Sequence, residues 1–123
     1  MRVAPPHIEF VGGILQIIDQ TLLPAETVVV RLRTVPKVIE AIRAMRIRGA
    51  PAIGIAGADG MCIGAKAASG VTRNADDFFK VVDADGAALS AARPTAVNLS
   101  WAVAKLSQHA RERSEAGEGL IQI

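Results

Sequence analysis

Arg48-Gly49-Ala50-Pro51-Ala52-Ile53-Gly54 is the stretch on which the fold turns. An amphipathic segment ends there and a Gly/Ala-rich segment begins. Gly49 can adopt the left-handed backbone that closes a helix, a conformation that a Cβ resists. Pro51 suits the first turn of a following helix, where its missing N–H has no partner to lose. Free N–H groups at the new helix start and the Arg48 guanidinium can then face one point, a seat for phosphate or carboxylate. The alternative is a plain helix–helix connection with a solvated arginine, and the heptapeptide alone favours that alternative.

Upstream, 1–7 reads as a loose arm. Ile8-Glu9-Phe10-Val11 and Ile14-Leu15-Gln16-Ile17-Ile18-Asp19 flank Gly12-Gly13, a hairpin signal. Val28 to Arg33 reads as a third strand. A three-stranded sheet of this size needs a cover for its apolar face. Thr34 is a good N-cap and Pro36 sits in a first turn. Val38, Ile42 and Met45, widened by Ile39, form a helical stripe expected to reach Ile47. Lys37, Arg43 and Arg46 then fall on the solvated side.

Downstream, Pro51 to about Ser69 reads as a helix closed by Gly70. Gly54, Gly57, Gly60 and Gly64 weaken it by roughly 1 kcal/mol each relative to alanine. Their spacing suits a buried helix against which other backbones pack closely. It is not a dinucleotide fingerprint, because the order G-x-G-x-x-G after a strand is absent. Asp59 is an acid among small apolar neighbours, expected to be satisfied by hydrogen bonds rather than to face a polar cavity. Asn74 caps a further helix with Asp76 and Asp77 at its positive end, and Phe78, Val82 and Leu89 mark its buried side. A last helix follows Arg93-Pro94-Thr95, with Leu99, Val103, Leu106 and Ala110 on one stripe. The tail, 114–123, reads as irregular.

The chain has 123 residues, half of them hydrophobic, with 14 Lys and Arg against 12 Asp and Glu and a net charge of +2. That is one domain or a piece of a larger one. The scarcity of aromatics and of basic runs argues against nucleic acid and membrane partners. Cys62 is alone, so no internal disulfide forms, and no signal peptide is visible. A cytoplasmic protein is expected. No His, Cys or acid cluster has metal-ligand spacing. Cys62 is expected to be a small buried hydrophobe, and His7 and His109 to be solvated.

Arg93-Pro94-Thr95 repeats the logic of Arg48 to Pro51: an arginine just before a helix start that carries a proline. Thr95 offers a hydroxyl as a cap or to an anion, and Asn98 an amide. If the two starts lie side by side, two guanidiniums and two positive helix ends converge on one phosphate. No acid–base pair accompanies them.

Together, Arg48 to Gly54 and Arg93-Pro94-Thr95-Ala96-Val97-Asn98-Leu99, with Trp101-Ala102, resemble the two signatures of the S-methyl-5-thioribose-1-phosphate isomerase family. The hairpin from Ile8 to Gln20, with Leu23-Pro24, is also similar, so the resemblance spans 8 to about 110. The wider family includes ribose-1,5-bisphosphate isomerase and regulatory subunits of the translation initiation exchange factor. The resemblance implies an α+β domain over 1–113: the arm 1–7, a three-stranded antiparallel sheet within 8–33, and about four helices within 34–113. It implies conversion of methylthioribose 1-phosphate to methylthioribulose 1-phosphate in methionine salvage, without a cofactor or metal. By motif match, Arg48, Gly49, Ala50 and Arg93 contact the sugar phosphate; Thr95 and Asn98 are candidates for support on the helix-start argument alone. A homodimer is implied for the full-length family. Family members carry their catalytic cysteine and aspartate in a larger C-terminal domain, absent here, and Cys62 does not match that cysteine's motif. The expectation is therefore an N-terminal substrate-binding portion that is inactive alone, or else a non-catalytic module like the translation-factor relatives.

Overall fold

The computed structural model describes residues 7–115. The rest of the arm, 1–6, and residues 116–123 of the tail lie outside it. Strands β1 (Ile8–Val11), β2 (Ile14–Ile18) and β3 (Val29–Leu32) precede helices α1 (Val35–Arg43), α2 (Ala50–Val71), α3 (Ala75–Ala92) and α4 (Val97–Glu115). This is the expected α+β order.

The sheet is antiparallel in the order β1-β2-β3. Gly12 and Gly13 take φ of 61° and 78°, the paired positive values that a two-residue hairpin turn needs. Phe10, Leu15 and Leu32 face one another across the strands, as do Ile8, Ile17 and Val30. Leu15, Ile17 and Leu32 are buried beneath the helices. Glu9, Gln16 and Arg31 form a polar rung on the opposite face.

Thr34 caps α1 by accepting the Lys37 N–H at 3.4 Å. The helix stops at Arg43, short of Ile47. The Arg46 N–H donates to the Ala41 carbonyl at 2.9 Å and the Met45 N–H to the Ile42 carbonyl at 3.2 Å. This is a Schellman closure, with Met45 in the left-handed position at φ 61°. Met45 therefore leaves the buried stripe, and Gly49 does not close α1.

Arg46 is not solvated as expected. Its Nη1 lies 2.7 Å from Asp19 Oδ2, and its Nη2 lies 3.1 Å from Glu40 Oε1. Asp19 is 2% exposed and also accepts the N–H and hydroxyl of Thr21. The Gln20 N–H reaches the Arg46 carbonyl at 2.9 Å. The end of β2 is thus tied to the connection that leads into Arg48.

α2 is the central helix, contacted by α1, α3, α4 and the sheet. Its glycines permit this. A Cβ at Gly57 would stand 2.5 Å from Leu99 Cδ1, and one at Gly54 would meet Asn98 Cβ and its carbonyl at 3.4 Å. Gly70 lies inside α2 rather than closing it. Thr72 does so, its N–H and hydroxyl donating to the Ala68 carbonyl at 2.9 and 2.7 Å. Asn74 caps α3 by accepting the Asp77 N–H at 2.8 Å. Leu99, Val103 and Ala110 of α4 are buried as expected, and Leu106 packs against the core. α4 runs to Glu115, two residues into the span read as irregular, and begins at Val97, later than Pro94.

Candidate functional site

The two arginine segments meet. Arg48, Gly49 and Ala50 from the start of α2 line one cleft with Arg93 and Thr95 from the connection into α4 and Asn98 from its first turn. Its volume is about 350 Å³, and Met45, Ile53, Ala96 and Val97 complete the wall. All six residues singled out from the sequence stand on it. Packing at the glycines makes this possible, because Gly54 and Gly57 let the first turn of α4 lie directly on the first turns of α2.

Gly49 is the N-cap of α2 at φ 93° and ψ 134° and supplies no capping side chain. Nothing stands within 4 Å of a Cβ built there, so the demand for glycine is one of conformation rather than space. No side chain caps the first turn of α2, and Gly49 and Ala50 at its start line the cleft. Arg48 is exposed and Arg93 half-buried. Neither guanidinium has an ion pair or hydrogen bond among the described residues. Arg111, by contrast, is engaged by Asp83 and lies 4.6 Å over the Phe79 ring.

The second helix start is built differently from the sequence expectation. Pro94 is not in a first turn. The Ala96 N–H donates to the Arg93 carbonyl at 2.9 Å, a tight turn, and the Ala96 carbonyl accepts from Leu99 and Ser100. Thr95 makes no capping hydrogen bond among the described residues, and it lines the cleft. Sequence reasoning missed Met45, Ile53, Ala96 and Val97. Met45 carries no local signal, because its place follows from the α1 closure.

Among the described residues no carboxylate, histidine or cysteine lines this cleft. Asp59 and Cys62 lie further along α2. Asp59 makes no hydrogen bond among the described residues, against the expectation that it is satisfied, and burial pushes its carboxyl up to about 6. Cys62 is exposed, not a buried hydrophobe. Desolvation and the neighbouring Asp59 charge raise its thiol. The helical phase decides this, since Cys62 falls on the face of α2 opposite the buried Gly60 and Gly64. His7 and His109 are exposed as expected. A larger cavity, about 860 Å³, lies by the C-terminal half of α2, walled by Val35, Ile63, Val71 and Val81 with Arg33, Lys66 and Asp85. Burial raises the Asp85 carboxyl. Among the described residues no group of three or more His, Cys, Asp or Glu side chains is placed to hold a metal ion. No described helix is long and apolar enough to cross a membrane.

Comparison with known proteins shows the family of the chain. The profile of the initiation factor 2 subunit family matches residues 46–121. The methylthioribose-1-phosphate isomerase of Roseiflexus castenholzii is 51% identical over 103 residues, 81% of this chain and 29% of that protein. The crystal structure of 5-methylthioribose 1-phosphate isomerase from Pyrococcus horikoshii OT3 superposes with a TM-score of 0.88 at 34% identity, covering 98% of this chain and 33% of that one. Translation initiation factor eIF-2B, subunit delta, from A. fulgidus superposes with a TM-score of 0.78 at 32% identity, covering 89% and 31%. The chain spans less than a third of the length of the curated relatives it matches. On the profile match over more than half its length, this chain belongs to the initiation factor 2 subunit family.

Proposed function

We propose that this chain is the N-terminal, substrate-binding portion of an aldose–ketose isomerase that converts methylthioribose 1-phosphate to methylthioribulose 1-phosphate in methionine salvage. The observation that carries the proposal is the convergence of Arg48 and Arg93 on one cleft, beside an uncapped helix start. Arg48 and Arg93 neutralise the phosphate, the backbone at Gly49 and Ala50 donates to it, and the Thr95 hydroxyl and Asn98 amide complete the shell. The relatives named for this isomerase support the choice of substrate. The proposal includes a cytoplasmic location and, for a full-length chain, a homodimer.

Isomerisation of an aldose to a ketose moves protons between neighbouring carbons and oxygens and so needs an acid and a base. The cleft provides neither. In this proposal they come from outside the described residues, and the 123-residue chain alone does not turn substrate over. A second reading, a non-catalytic regulatory or assembly module, is favoured by the likeness to the A. fulgidus delta subunit and by the same lack of an acid–base pair.

A chimera separates the two. Residues 8–110 replace the matching segment of the Pyrococcus horikoshii isomerase. The isomerase reading expects turnover of methylthioribose 1-phosphate, and a loss of at least roughly a hundredfold in kcat/KM on Arg93→Ala, as for other preorganised donors to developing or fixed negative charge. A folded chimera without turnover contradicts it and favours the module.

A further inference from the structure

The cavity of about 860 Å³ beside the C-terminal half of α2 shares no lining residue with the cleft at the starts of α2 and α4, and the proposed function makes no use of it. Its wall is mainly apolar. Val35 and Ile63 are buried there, and Val81 and the 81% exposed Val71 carry the same surface out to solvent. Three charged side chains stand on this wall: Arg33 just after β3, Lys66 on α2 and Asp85 on α3. None of the three side chains has a hydrogen bond or ion pair among the described residues.

The glycines show where two of these charges lie. A Cβ at Gly64 would overlap Asp85 Oδ2, so the missing side chain on α2 is what gives the carboxylate its place. A Cβ at Gly13 would stand 3.3 Å from Lys66 Nζ, which puts the ammonium at the turn between β1 and β2. Lys66 and Asp85 thus share one cavity without pairing. Burial raises the Asp85 carboxyl, and no neighbouring cation offsets that cost among the described residues. A hydrocarbon ligand would leave all three charges unused, and a phosphate would face the Asp85 carboxylate. A ligand that carries an anion, a cation and an apolar body satisfies every part of the wall. The volume falls in the range of sites for small molecules.

We propose that this cavity binds a small amino acid zwitterion with an apolar carbon body. Its carboxylate meets Lys66 and Arg33, its ammonium meets Asp85, and its body lies on Val35, Ile63, Val71 and Val81. The inference does not depend on the proposed function.

Calorimetric titration of the 123-residue chain with four probes tests it. Leucine carries both charges on one carbon, and ε-aminocaproate carries them at the two ends of an apolar chain. Isocaproate is leucine without the ammonium, and isoamylamine is leucine without the carboxylate. At least one of the two zwitterions is expected to bind about tenfold or more tighter than either singly charged probe, because each of those forgoes a charge-assisted contact. Asp85→Asn keeps the shape of the wall and is expected to weaken the zwitterion by about tenfold while leaving isocaproate unchanged. Lys66→Gln is expected to weaken the zwitterion and isocaproate alike and to leave isoamylamine unchanged. A loss of fold would move all the probes together, so the pattern across probes separates contact from structure. Binding of neither zwitterion, or isocaproate binding as tightly as both, overturns the proposal. So does an Asp85→Asn chain that binds the zwitterion with wild-type affinity.

Discussion

Asp19 is almost wholly buried, which by itself raises a carboxyl, yet the two hydrogen bonds from Thr21 and the Arg46 guanidinium outweigh burial and hold it below its usual range. Below about pH 4 the unfolded chain takes up this proton before the native state does, so stability falls as pH drops through the native value. Asp59 acts with the opposite sign. Burial lifts it to about 6, so between about pH 4 and 6 the native state keeps a proton that the unfolded chain has released, and stability falls as pH rises across that window. Urea unfolding followed against pH is expected to show a shallower acid loss for Asp19→Asn than for wild type. Asp59→Asn is expected to remove the decline between pH 4 and 6. Identical pH profiles for all three proteins contradict both assignments. Asp19→Ala is expected to cost about 1–3 kcal/mol, the usual loss for hydrogen bonds to a charged group. Because Arg46 stands two residues before Arg48, the same contact fixes where the cleft begins.

At the scale of elements, the glycines of α2 have opposite uses. A Cβ at Gly57 meets Leu99, which is fully buried and has nowhere to go. Gly57→Ala gains about 1 kcal/mol of helix propensity but sets it against an overpacking cost of about 1–3 kcal/mol. A net loss is expected, with α4 displaced from the start of α2. Gly70 also lies in α2, with open space around it, so Gly70→Ala is expected to stabilise by about 0.5–1 kcal/mol. Denaturant midpoints check the signs: two shifts in the same direction contradict this view of the packing. The local devices were readable from sequence. Thr34 and Asn74 cap the helices they were expected to cap, because a cap is written in three or four consecutive residues. The Gly-Gly hairpin is of the same kind. The end of α1 was not readable, because a methionine occupies the left-handed place where glycine is the usual signal. The start of α4 was misplaced for a related reason, since Pro94 serves a turn rather than a helix.

At the scale of the molecule, what sequence spacing could not give is what joins distant segments. The Asp19–Arg46 pair links the sheet to the loop after α1, and nothing in either neighbourhood names the other. The settings of Cys62 and Asp59 are illegible locally for the same reason, since only the packing around α2 decides which of its faces stays open. The six candidate residues, by contrast, were legible individually as helix-start arginines and their neighbours. Their meeting depends on Gly54 and Gly57 drawing α4 onto α2. Calorimetric titration with methylthioribose 1-phosphate tests whether that meeting makes one anion site. Arg48→Ala and Arg93→Ala are each expected to weaken binding by about tenfold or more, the loss of a charge-assisted hydrogen bond. Binding by both variants with wild-type affinity would contradict a shared anion site.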